Sequence, residues 1–146
     1  MKNDSRLSAV LHALLHMADH DGPLTSEHLA LCMRTNPVVV RRTMGLLRKA
    51  GLVTSAKGHA GGWTIAVPLA RISMRQLYEA LGAPRVFAIG NRSANPACLV
   101  EQSVNSVMDA AFDEAEALLM QRFEAVTVAD LAGEFSRRHR KGKHQT

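Results

Sequence analysis

Apolar residues recur along most of this chain at spacings of three and four, which is the period of an amphipathic helix. A first helix with this pattern ends at residues 21–23, where the sequence Asp-Gly-Pro is unfavourable for a helix. A second, short helix follows the capping residue Thr25, and a third runs over residues 38–50 behind the sequence Asn-Pro. Only residues 34–36 separate these two helices, so the pattern predicts a helix-turn-helix.

The periodicity changes after the third helix. Residues 52–55 and 63–67 are short runs typical of strands, and the glycine-rich segment 56–62 between them predicts a flexible hairpin tip. Ser73 then caps another helix. Three helices, a two-stranded wing and a fourth helix predict a winged helix-turn-helix domain over residues 1–82.

The remaining residues predict a linker, a helical segment and a tail. Residues 83–98 are rich in Pro, Gly and Asn and lack helical spacing, which is typical of a linker. Residues 99–135 are expected to form dimerisation helices, a long one over 99–122 and a short one capped by Thr127. The basic run 136–146 is expected to be disordered. The predicted fold is mainly α, with a small β-wing and a long C-terminal dimerisation helix.

The long helix has an apolar face that one small domain cannot cover. Burial of that face requires a partner surface, so we expect a homodimer formed through this helix. The expected interface residues are Val104, Val107, Met108, Ala111 and Leu118.

Charge is distributed unevenly along the chain. The formal net charge is +5, yet residues 28–78 hold eight Lys and Arg residues and no Asp or Glu. Residues 79–135 have the opposite balance, with nine acidic residues against three basic ones. An acid-free stretch that coincides with the helix-turn-helix and the wing indicates a surface that meets a polyanion. Double-stranded DNA is the expected partner.

In a helix-turn-helix, the second helix lies in the major groove with its N-terminal residues at the base edges. DNA contacts are therefore expected from the turn, this reader helix and the wing. The candidate residues are Thr35, Asn36, Val38, Val39, Arg41, Arg42, Lys49, Lys57, His59 and Gly61. Two alternatives stay open. Asn36 either reads adenine or only caps the helix, and Arg41 and Arg42 either contact DNA or form ordinary solvated surface.

Other classes of protein are disfavoured by the composition. No apolar run reaches the roughly 18 residues that a membrane span requires, so we expect no membrane association. The chain contains no phosphate-binding loop and no recognisable catalytic constellation, so we expect no enzyme. Two cysteines do not build a disulfide framework, which favours a reducing, cytoplasmic location.

Three histidines, His12, His16 and His20, recur every four residues, which is also the spacing of metal ligands on a helix. They fall opposite the leucine stripe that includes Leu7 and Leu11, so a solvated helix face is the simpler interpretation. We therefore expect no metal site there.

Four segments together resemble a known family. They are 46–53 (LLRKAGLV), 57–58 (KG), 61–63 (GGW) and 66–73 (AVPLARIS). With the long helix, they resemble the Rrf2 family of bacterial winged-helix repressors, whose members regulate iron–sulfur cluster assembly, the nitric-oxide response and cysteine metabolism. The resemblance covers residues 6–82. It implies a homodimer built on the long helix that reads a pseudo-palindromic operator through the turn, the reader helix and the wing.

The chain departs from the cluster-binding members of that family in its cysteines. Those members have three closely spaced cysteines between the helix after the wing and the long helix, whereas residues 83–98 contain only Cys98. A cluster needs about four thiolate or imidazole ligands, so no cofactor is expected.

Cys98 itself has two interpretations. It is either an inert thiol or a redox sensor, because the N-terminal end of a helix lowers the pKa of a thiol. The carboxylate of Glu101 opposes that effect. Cys32 is expected to pack within the helix-turn-helix.

The sequence thus predicts a homodimeric, sequence-specific DNA-binding transcription regulator, a repressor that is controlled by thiol oxidation or by an unidentified small signal. Two alternative functions stay open. One is an iron–sulfur or metal-dependent transcription sensor, and the other is a winged-helix protein-interaction module that does not bind DNA.

Overall fold

Six α-helices and one two-stranded sheet make up the part of the chain that the computed structural model describes, residues 3–58, 61–91 and 97–143. The elements are α1 (Arg6–Ala18), α2 (Ser26–Met33), α3 (Pro37–Lys49), β1 (Val53–Ala56), β2 (Gly62–Ile65), a one-turn 3-10 helix (Leu69–Arg71), α4 (Met74–Ala80), α5 (Leu99–Ala125) and α6 (Val128–Lys143). Among these described helices, none has both the length and the apolarity needed to cross a membrane.

Capping side chains fix where α2, α3 and α4 begin, as the sequence predicted. Thr25 and Asn36 each accept a backbone N–H from three residues ahead, at 3.1 and 3.0 Å. Ser73 and Gln76 form a reciprocal capping box at the start of α4. Each of these bonds satisfies a backbone donor that would otherwise lack a partner in the first helical turn.

The core of the winged domain is almost entirely aliphatic, which suits a chain with 4% aromatic residues. It forms where α1, α2, α3 and α4 meet the strands. The largest fully buried side chains are Val10, Leu14, Leu29, Val40, Met44, Leu47, Val53, Ile72, Leu77 and Val128.

The wing is an antiparallel hairpin in which Val53 pairs with Ile65 and Ala56 with Gly62. Strand β2 of this hairpin is fixed to the start of α2. Trp63 is buried, and its indole N–H donates to the Ser26 hydroxyl at 3.0 Å.

The long helix α5 has 27 residues, and none of them is buried. Its C-terminal end packs on α4, where the Phe123 ring lies 6.1 Å from that of Tyr78. The segment before α5 runs back along it, with the Phe87 ring 5.3 Å from that of Phe112. One face of α5 is therefore occupied by its own chain, and the rest is exposed.

The end of the chain differs from the sequence prediction in two ways. Val128, at the start of α6, is fully buried in the winged-domain core, and its N–H donates to the Ile72 carbonyl at 2.8 Å. The segment 99–135 is thus not separate from that domain. The predicted disorder of the tail is also wrong for residues 136–143, because α6 continues through them. Glu134 pairs with Arg137 and Arg138 at 2.6 and 2.8 Å, and such pairs one turn apart support the helix.

Candidate nucleic-acid interface

The turn between α2 and α3 is short and well supported. Arg34 ends α2 in the left-handed conformation, with φ 54° and ψ 50°, and the next N–H, from Thr35, donates back to the Ala30 carbonyl at 2.9 Å. Asn36 is extended and caps α3. The exposed side chains of Arg34, Thr35 and Asn36 lie together at the start of α3. Arg34 is a candidate that the sequence analysis did not select, although it lies in the predicted turn.

Helix α3 buries one face and exposes the opposite one. Val40, Thr43, Met44 and Leu47 are buried. At 100° per residue, the positions directly opposite them are Val38, Arg42, Gly45 and Lys49. Val38 is 57% exposed, so its methyl groups are accessible on this outward face.

Arg41 lies at the edge of this outward face and has an acidic neighbour. Its guanidinium is 3.9 Å from the carboxylate of Glu27, on the first turn of α2. The acid-free stretch in the sequence therefore does not leave Arg41 without a carboxylate. Within the described part of the chain, Arg42 and Lys49 form no ion pair. Their positive charges are available to a polyanion.

Gly45 is a second residue of this surface that was not predicted from the sequence. It lies in the middle of α3, where glycine is about 1 kcal/mol less favourable than alanine. A Cβ at this position would meet nothing within 4 Å, so packing inside the protein does not require a glycine. The helical spacing in the sequence places Gly45 on the same face as Arg42 and Lys49, so this position could have been predicted.

The structure describes only some of the wing residues that were predicted to contact DNA. Lys57 is exposed near the tip, and His59 lies outside the described residues. Gly61 has a structural reason to be glycine, since a Cβ there would collide with the Ala56 carbonyl. Arg48 donates to the Ser55 hydroxyl at 3.2 Å, which ties α3 to the wing.

The predicted dimer residues lie on α5. Val104, Val107, Ala111 and Leu118 share one exposed face with Val100, with Val107 72% and Leu118 62% exposed. Met108 lies off this face and is half-buried.

A model of the Rrf2 family, described as iron-dependent transcriptional regulators, matches residues 3–134. The chain belongs to the Rrf2 family. The Bacillus subtilis protein YwnA, classed among HTH-type transcriptional regulators, is 30% identical to this Rrf2 protein over 128 residues, which are 88% of this chain and 95% of YwnA. Rrf2 proteins regulate transcription by binding DNA and are not enzymes, and this chain is a DNA-binding regulator of that kind.

Solved structures share the fold of this Rrf2 regulator. A transcription-regulator structure from Lactobacillus plantarum has a TM-score of 0.75 at 23% identity and covers 97% of this chain and 96% of its own. CymR, the global cysteine regulator of B. subtilis, has a TM-score of 0.60 at 18% identity and covers 92% of this chain and 98% of its own. The predicted family and fold class are confirmed.

The family description implies iron, and the residues of this Rrf2 protein do not fit an iron–sulfur cluster. Within the described ranges, no three His, Cys, Asp or Glu side chains form a group that could hold a metal ion. The two cysteines lie in different parts of the fold, Cys32 half-buried in α2 and Cys98 exposed before α5. A cluster needs about four ligands, and these two cysteines do not supply them.

Cys98 occupies the N-cap position of α5. The nearby backbone N–H groups of Glu101 and Val100, at the start of α5, lower the pKa of Cys98. The thiol is exposed, so an oxidant in solution has access to it. The sequence predicts such N–H groups at the helix end, and their effect on the pKa of Cys98 has the expected direction.

Proposed function

We propose that this Rrf2 protein is a homodimeric repressor that reads a pseudo-palindromic operator with the outward face of α3. The observation that carries the proposal is the composition of that face. Val38, Arg42, Gly45 and Lys49 form a strip opposite the core that offers one methyl-bearing side chain, two cations and no acid. An apolar group suits the thymine methyl, and arginine and lysine suit guanine or phosphate.

The reader-face proposal is tested with DNA that the protein selects from a random pool. Arg42→Ala should weaken binding to that DNA by about 10- to 100-fold, the cost of one good base or phosphate contact. Arg122→Ala is the matched control, because Arg122 is an exposed arginine on α5, away from the helix-turn-helix. Equal losses in both variants, or no loss in Arg42→Ala, would reject α3 as the reader.

The homodimer rests on the unburied length of α5. Valines and a leucine at 50–72% exposure on one helix face favour burial against a second copy. Two reader helices in a symmetric dimer would reach half-sites about 34–36 Å apart. Val107→Asp should yield monomers in light scattering and weaken operator binding, whereas Ser106→Asp, on the opposite side of α5, should keep the dimer. A wild-type monomer at micromolar concentration contradicts the proposal.

Redox control through Cys98 is a second part of the proposed function. Its exposure and lowered pKa favour reaction with peroxide or a disulfide. Cys98 lies where the linker meets α5, so an adduct there would act at the junction of the DNA-binding and dimer-forming segments. The expected response is release of operator DNA on oxidation.

A further inference from the structure

The row of three histidines in the sequence is divided by the end of α1. The helix stops at Ala18, so His20 leaves the row, and its Nδ1 lies 3.2 Å from the Gly22 carbonyl oxygen. His12 and His16 stay on the helix, one turn apart. Their Nε2 atoms are 2.8 Å apart, with the ring planes inclined by 15°.

This histidine pair faces an open groove of about 710 Å³ between α1 and α6. Leu11, Leu15 and Phe135 line the apolar side of the groove, and Asp19 lies at one end. Both rings are exposed, as expected for a solvated helix face, but Leu11 and Leu15 lie beside them and not opposite. The rings are exposed at the mouth of a groove that an ion and its bound waters can enter.

The 2.8 Å separation requires one of the two Nε2 atoms to carry a proton and the other to accept it. A metal ion can replace that proton and take the lone pairs of both nitrogens. With metal–nitrogen bonds of about 2.0–2.1 Å, a 2.8 Å separation corresponds to an angle of about 86° at the metal. That angle suits the square or tetragonal geometry of Ni²⁺ and Cu²⁺ better than a tetrahedron.

We propose that His12 and His16 form a two-ligand site for a divalent transition-metal ion of the Ni²⁺ or Cu²⁺ type. On binding, the shared proton moves through solvent from Nε2 to Nδ1 of its ring, so both imidazoles stay neutral and each donates one electron pair. No third protein ligand joins them among the described residues, and water fills the other positions.

A bound ion also has a structural consequence. It ties together two positions one turn apart on α1, the helix that supplies Val10, Leu14 and Met17 to the core. An ion that binds the folded chain and not the unfolded one raises the melting temperature.

The test uses the full-length protein without a histidine tag and with its thiols alkylated, titrated with Ni²⁺ in a calorimeter. Wild type should bind one ion per chain. His12→Gln and His16→Gln should each bind at least tenfold more weakly, because each leaves a single ligand. His20→Gln, the matched control, should bind as wild type. Ni²⁺ should raise the melting temperature of wild type and of His20→Gln only.

Two results would overturn the proposal. One is no saturable binding of an ion to wild type, and the other is wild-type affinity in both His12→Gln and His16→Gln. A second measurement needs no variant. The electron paramagnetic resonance spectrum of one equivalent of Cu²⁺ on wild type should show coupling to two imidazole nitrogens, and coupling to fewer than two overturns the site.

Discussion

Replacing Gly45 by alanine should raise the stability of the folded protein and weaken its binding to DNA. The position is a helix interior, and a Cβ there would meet no protein atom within 4 Å. Alanine therefore gains the helix propensity without a steric cost, about 0.5–1 kcal/mol of folding free energy. For a chain of this size, that gain corresponds to a melting temperature roughly 1–4 °C higher.

The same methyl group should weaken DNA binding. Gly45 lies between Arg42 and Lys49 on the outward face, so a Cβ would project toward the groove floor when those cations engage the duplex. Adding a methyl to a closely packed contact costs about 1–3 kcal/mol, which is roughly 5- to 150-fold in affinity. The variant should thus be more stable and bind less tightly.

The assay pairs thermal melting by circular dichroism with fluorescence anisotropy on labelled operator DNA. Gly133→Ala is the control, since Gly133 is also in a helix, on α6, with nothing within 4 Å of a Cβ. It should gain stability without losing affinity. Wild-type operator affinity in Gly45→Ala would refute the idea that DNA approaches the helix backbone there.

Four further predictions concern the arginines of α3, the Cys98 thiol and the C-terminal tail. Arg41→Ala should cost less operator affinity than Arg42→Ala, because Arg41 already has a carboxylate 3.9 Å away; anisotropy titrations that reverse this order would contradict it. The lowered pKa of Cys98 means that its thiolate, and hence its alkylation rate, persists to lower pH than for an ordinary cysteine. Oxidant should release operator from wild type and from Cys32→Ser but not from Cys98→Ser, and an equal response in all three would exclude Cys98 as the sensor. Deleting residues 136–146 should leave the melting transition nearly unchanged, since the described side chains there are exposed; loss of cooperative melting would show that this end supports the fold.

The sequence predicted the features that depend on near neighbours in the chain. The caps at Thr25, Asn36 and Ser73 each involve residues three positions apart, so their pattern is visible without a structure. The same holds for Thr127 and Asp130, which bond each other's backbone at 2.9 and 3.1 Å.

Features that depend on tertiary contacts were not predictable in this way. The approach of Glu27 to Arg41 requires the angle between α2 and α3, and the burial of Val128 requires the chain to turn back after α5. The groove beside His12 and His16 requires α6 to pack against α1, because Leu131 and Phe135 of α6 line it. The basic run alone does not predict the helical end of α6. The helix there is supported by Glu134, which precedes the run and pairs with Arg137 and Arg138.

The turn between α5 and α6 is the point at which α5 is attached to the winged domain and about which it would rotate. The N–H of Met74 donates to the Val126 carbonyl at 2.9 Å, and the N–H of Val128 donates to the Ile72 carbonyl. These two bonds attach the C-terminal end of α5 to the winged domain. The helix extends about 40 Å from that point. A rotation of about 5° at this turn displaces the far end by about 3.5 Å, close to the rise of one base pair. In the proposed dimer along α5, a rotation at this turn would therefore change the distance between the reader helices.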